Sequence, residues 1–148
     1  MLSERAVKVT EPKYIQLPHT ADIWIRVRGK DLPELFANAG FAFFDQVADV
    51  AAVRKKETQM LRAQAADREL LLVAWLDELL YHFDALHLIF KRFDIMELDD
   101  THVVAKAHGE KYDPSRHRLR TEIKAVTYHQ LAVEQVGDHW EASVIFDI

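Results

Sequence analysis

Asp67-Arg68-Glu69-Leu70-Leu71-Leu72-Val73-Ala74-Trp75-Leu76 opens the stretch that decides the fold, and the same pattern continues to Phe90. Leu72, Trp75, Leu76, Leu79, Phe83, Leu86 and Phe90 recur at the three- and four-residue spacing of one helical face. Asp67 stands in front of them as an N-cap, so the spacing predicts a helix from about Arg68 to Phe90. Leu70, Leu71, Val73 and Leu80 widen the apolar face. Such a helix is expected at the centre of the molecule, buried over much of its circumference.

Upstream, Tyr14-Ile15-Gln16-Leu17 reads as a short strand ended by Pro18. Ile23, Ile25 and Val27 then alternate with Trp24, Arg26 and Arg28, the period of a half-buried strand. Asp31, Pro33 and Glu34 form a helix start, and Leu35, Phe36, Ala39, Phe43 and Val47 continue it along one stripe. Ala48 to Lys56 reads as a loop, and Thr58 to Ala65 as a weakly patterned strand.

Downstream, Phe93 to Leu98 and His102 to His108 predict two strands joined through Asp99-Asp100-Thr101. Gly109 to Arg118 is polar and contains Asp113-Pro114, hence a loop; for Arg120 to His129 periodicity leaves helix and strand both open. Leu131–Val136 and Glu141–Phe146 flank Gly137-Asp138, a hairpin signal. Helices interleaved with hairpins give an α+β two-layer sandwich, with a mixed, mostly antiparallel sheet packed against two main helices. At 148 residues one domain is expected, residues 13–148, behind a polar and flexible tail of residues 1–12.

Composition removes several classes of function. There is no cysteine, so disulfides, thiolate zinc sites and cysteine nucleophiles are excluded. A net charge of -5 argues against a primary nucleic-acid binder. With only four glycines, none arranged as G-x-x-x-x-G-K or G-x-G-x-x-G, a glycine-rich phosphate loop is absent. Ser3, Ser115 and Ser143 lie in no nucleophile elbow. The eight histidines include no HExxH, and His82 and His87 are wrongly spaced for neighbouring helical ligands. No apolar run approaches a membrane span and the N-terminus has no signal-peptide pattern, so a cytoplasmic location is expected.

The sharpest chemical signal is acidic. Ser143-Val144-Ile145-Phe146-Asp147-Ile148 is an apolar strand that finishes on a side-chain carboxylate and an α-carboxylate. Asp22, in His19-Thr20-Ala21-Asp22, immediately precedes the alternating strand. If these two strands pair antiparallel, the start of one lies beside the end of the other and three carboxylates converge. Oxygen donors of this kind suit a hard divalent cation, calcium or magnesium, with His19 as a weaker candidate ligand. The competing reading is structural: Asp22 caps a turn and the terminal carboxylates are solvated. Glu122 and Lys124 read either as a solvated charge pair or, for Lys124, as a contact to an acidic partner or phosphate. His129 is expected to be a buried, hydrogen-bonded histidine.

Four segments resemble one family, archease: Leu17-Pro18-His19-Thr20-Ala21-Asp22-Ile23, Leu71 to Tyr81, Glu122-Ile123-Lys124-Ala125-Val126-Thr127-Tyr128-His129 and Val144-Ile145-Phe146-Asp147-Ile148. The loop from Gly109-Glu110 through Asp113 and His117 is also similar, while Asp77 stands where the family frequently has Asn. The resemblance implies an accessory protein, not an enzyme, that acts on an RtcB-type RNA ligase in tRNA splicing and RNA repair. It would promote guanylylation of the ligase histidine and repeated turnover, touching RNA only indirectly. It further implies a calcium site (magnesium or manganese being alternatives) on Asp22, Asp147 and the Ile148 carboxylate. His19, Glu122, Lys124 and His129 would be supporting or partner-contact residues, with Lys124 linked to ligase activation. Two other readings compete: a general chaperone or modulator of RNA-modifying enzymes such as a tRNA methyltransferase, and a metal-dependent hydrolase using the same acids.

Overall fold

The computed structural model describes residues 11–18 and 22–148. Among the described residues, eight strands and two helices follow one another as β1 (Tyr14–Leu17), β2 (Ile23–Gly29), α1 (Leu32–Val47), β3 (Glu57–Gln64), α2 (Arg68–Leu86), β4 (Leu88–Leu98), β5 (His102–Lys111), β6 (Ala125–Val126), β7 (Ala132–Val136) and β8 (His139–Asp147). The class is α+β, as the interleaving predicts. All the described ladders are antiparallel, and the strands divide between two sheets. One sheet runs β1-β2-β8-β6, with β7 also on β8; the other runs β3-β5-β4.

Helix α1 joins the two sheets. Asp31 caps it by accepting the Glu34 amide at 2.9 Å, and Glu34 reaches back to the Lys30 amide at 2.7 Å. The second bond falls one residue outside the usual capping box, on the residue before the cap. Phe43 then meets Phe146 of β8 edge-on at 5.7 Å, while its neighbour Phe44 meets Phe90 and Phe93 of β4 at 5.7 and 6.3 Å. Adjacent residues of one helix thus engage different sheets, each aromatic pair adding about 1 kcal/mol beyond area burial. Gly40 makes this closeness workable, because a Cβ there would meet the Phe93 ring at 2.9 Å.

Helix α2 begins where the sequence predicts, with Asp67 accepting the Leu70 amide at 2.9 Å. Leu71, Leu72, Val73, Trp75, Leu76 and Leu79 are buried, and the Trp75 indole N–H donates to the Phe36 carbonyl of α1 at 2.9 Å. Its end is a correction. The helix stops at Leu86, which is exposed, and His87 takes the left-handed conformation (φ 58°) that closes it. Leu88, Ile89 and Phe90 are buried residues of β4, paired to β5. A helical stripe and a wholly buried strand are both continuous apolar runs, so periodicity carried the helix too far.

Three further boundaries move. Gly109, Glu110 and Lys111 belong to β5 rather than to the following loop. Gly109 sits so close to β4 that a Cβ would lie 1.9 Å from the Ile89 carbonyl oxygen, and Glu110 is buried beside ionic partners; neither looks like a strand residue in isolation. The expected loop of residues 48–56 contains a 3-10 turn, Val50–Ala52. From residue 120 to 129 only Ala125–Val126 is regular, a two-residue strand. The hairpin at Gly137 (φ 62°) stands as expected.

Candidate functional site

Antiparallel pairing of β2 with β8 sets the candidate site. Ile23 pairs with Phe146, Ile25 with Val144 and Val27 with Ala142, and all six are buried. The ladder ends on the Ile23–Phe146 pair, so Asp22, a bend residue just before it, and Asp147, just after it, flank its last rung. Carboxylates held near one another repel, and a cation between them lowers that repulsion. Asp22 is half-buried, whereas Asp147 and Ile148 are exposed.

On the other side of β8, Ala125 pairs with Asp147, and the Lys124 amide donates to the Asp147 carbonyl at 2.7 Å. Lys124 therefore arrives at the same sheet end as the acids, next to Ile148 in register. Its side chain is exposed and makes no ion pair among the described residues. Glu122 is also exposed, and no ion pair joins it to Lys124.

Two other candidates remain. His19, with Thr20 and Ala21, lies outside the described residues. His129 is exposed, which corrects the expectation of a buried histidine. It belongs to the turn between β6 and β7, where its amide donates to Thr127 Oγ1 at 3.2 Å and Gln130 is left-handed (φ 55°). A tight polar turn offers no apolar volume in which to bury a ring.

The donor set at the sheet end fits a hard cation, since every candidate ligand atom is a carboxylate oxygen. Among the described residues, no three His, Asp or Glu side chains converge to hold a metal ion. Two side chains, Asp22 and Asp147, and the α-carboxylate of Ile148 are the groups that the register and the sequence supply.

A second acidic centre lies elsewhere and was not assigned a role from sequence. Glu110 of β5 is buried and accepts from Arg116 at 2.5 Å, from the Arg54 amide at 2.8 Å and from His117 Nε2 at 2.9 Å. The Asp113 amide donates to His117 Nδ1 at 2.8 Å, so the ring proton is on Nε2, pointing at Glu110. Burial pushes the Glu110 carboxyl up, but Arg116, the Arg54 amide and His117 outweigh it and hold its pKa at about 2. Asp113 is also held low, by bonds from Ser115. The sequence signals were a Glu and a His flanking Asp113-Pro114 in a polar stretch and the family likeness of that stretch, which mark a loop but not what anchors it.

With this geometry in hand, comparison with known proteins is specific. Residues 14–148 match the model of the Archease protein family. The chain is 41% identical over 140 residues to Protein archease of Methanosarcina acetivorans, covering 92% of this chain and 96% of that one. It is 36% identical over 138 residues to Protein archease of Sulfurisphaera tokodaii, covering 92% and 99%. The solution structure of Methanobacterium thermoautotrophicum protein 1598 superposes with a TM-score of 0.79 at 31% identity, covering 93% of this chain and all (100%) of that one. A crystal structure from Thermotoga maritima, described as an archease and possible chaperone, shares the fold with a TM-score of 0.62 at 22% identity, covering 95% and 98%. This chain belongs to the archease family.

Proposed function

We propose that this protein is an activator of an RtcB-type RNA ligase in tRNA splicing and RNA repair, promoting guanylylation of the ligase histidine and multiple turnover. In this reading it holds a divalent cation, calcium first, on Asp22, Asp147 and the Ile148 carboxylate. The observation that supports the reading is the β2–β8 register, whose last pair, Ile23–Phe146, is flanked in sequence by Asp22 and Asp147. A bound cation would neutralise charge there. The chain's own contribution is to fix the strand ends: the Lys124 amide holds the Asp147 main chain, and the buried Ile23–Phe146 pair anchors the ladder behind it.

Guanylylation of the ligase with GTP and divalent metal, measured with and without this protein, tests the activator role. Wild type is expected to stimulate, and Asp147→Ala to lose both the stimulation and the heat of calcium binding. Absence of stimulation with the ligase of the same organism would overturn the reading. It would favour the chaperone alternative, the role suggested for the Thermotoga maritima archease.

A further inference from the structure

At the opposite end of β2 from the acids, a depression of about 360 Å³ is lined by Lys13, Lys55, Lys91 and Arg92 over a floor that includes Phe41 and Phe93. Among the described residues no carboxylate lines it, in a protein whose net charge is -5. The Arg28 amide donates to the Lys13 carbonyl and Asn38 donates to the Arg28 carbonyl, which ties this depression to the Gly29 end of the strand. Six strand residues separate that end from Ile23, roughly 20 Å. The depression is therefore separate from the proposed cation site.

The cations are positioned by the fold. Phe90 pairs with Gly109 and Arg92 with His108, so Lys91 is the extra residue of a β-bulge. A bulge re-aims a side chain, and here Phe90 and Phe93 are both buried while Lys91 turns to the opening. Lys55 lies between two anchored amides: Arg54 N–H donates to Glu110 at 2.8 Å, and Lys56 N–H to the Gly109 carbonyl at 2.9 Å. Lys55 and Lys91 have no ionic or hydrogen-bonding partner for their ammonium groups among the described residues. Lys13 rests 5.2 Å above the Phe41 ring, and Arg92 pairs with Asp94 at 3.1 Å.

Lys13, Lys55 and Lys91 around one small opening repel each other, with Arg92 shared with Asp94; a polyanion relieves that repulsion, and an apolar floor strengthens the attraction by excluding water. Lysine supplies a point charge and arginine a planar fork, the two usual means of holding phosphate oxygens. Acids border the patch, with Asp94 beside Arg92 and Glu34 one helical turn before Asn38, so an extended phosphate backbone would run into like charge. We propose that the depression between α1, β4 and the Arg54–Lys56 segment is a binding site for a compact oligophosphate, free or carried by a nucleoside.

Titration calorimetry of the full chain in EDTA tests this without involving the acidic end. The probes are inorganic tripolyphosphate, ATP and a single-stranded RNA, in about 50 mM salt so that screening stays weak. Tripolyphosphate and ATP are expected to bind wild type, and Lys55→Gln/Lys91→Gln to weaken both by about tenfold or more. Lys111→Gln, outside the depression, should leave binding unchanged, with circular dichroism confirming that all variants fold. Equal affinities would assign recognition to the phosphates alone, and tighter ATP binding to a nucleoside-borne group; both outcomes support the site. No binding at millimolar ligand, equal binding by the folded double variant, or tighter lysine-dependent binding of RNA would overturn it.

Discussion

Glu110 and Asp147 are both carboxylates near the end of a strand, and they differ in everything that surrounds them. Glu110 is buried, with a guanidinium, an amide and an imidazole donating to it. Asp147 is exposed, its side chain has no partner among the described residues, and only its main-chain carbonyl is held. A buried carboxylate with three donors converging on its Oε2 is committed to closing the fold. An exposed one just past the last rung of a ladder is left with oxygen atoms to offer a ligand. Being near a strand end does not separate a structural acid from a functional one; the count of donors does.

The contrast breaks most visibly at Glu110. Glu110→Ala strands the Arg116 charge and the His117 and Arg54 N–H groups, and should cost about 3–5 kcal/mol in urea denaturation. A loss below about 1 kcal/mol would place Glu110 in the same class as Asp147. Acid titration sharpens the same point. The folded pKa of Glu110, about 2, lies below its ordinary 4.5. Its stabilisation is therefore complete above the ordinary value and is lost as pH falls toward about 2. Glu110→Gln should be less stable at neutral pH and show a flatter stability curve across that acid window. The smallest change in stability is expected at the other acid. Asp147→Asn in EDTA should stay within about 0.5 kcal/mol of wild type. It should also lose the calcium-induced rise in melting temperature that wild type would show under the proposed function; a retained rise would remove Asp147 from the cation site.

The parts of the fold visible in the sequence are those set by local chemistry. Asp31 and Asp67 cap helices because a short carboxylate reaches the amide three residues on, whatever the tertiary context. The Gly137 hairpin and the alternation in Ile23–Gly29 are equally local. What the sequence hid depends on partners distant in the chain. Leu88–Phe90 form a strand because β5 pairs with them, and Glu110 is a strand residue because the Arg116 guanidinium neutralises it and the Arg54 amide donates to it. At the candidate site the pairing of β2 with β8 was legible as a condition, and the register now meets it. The neighbours of His129 were not, since a two-residue strand followed by a left-handed turn leaves no periodic trace.

The last strand in the order, β8, is the centre of its sheet, with β2 along one edge and β7 and β6 along the other. During synthesis, β1 and β2 therefore emerge long before their partner: Trp24 waits for Ser143, to which its indole N–H donates across 119 positions. Until then the apolar face of β2 has no strand to shelter it, and Phe43 lacks the ring of Phe146. Helix α1 can meanwhile pack on β4 through Phe44. The β3-β5-β4 half can thus assemble on the ribosome while the other sheet stays open, and a stall before residue 139 would leave an unpaired strand edge exposed to other chains.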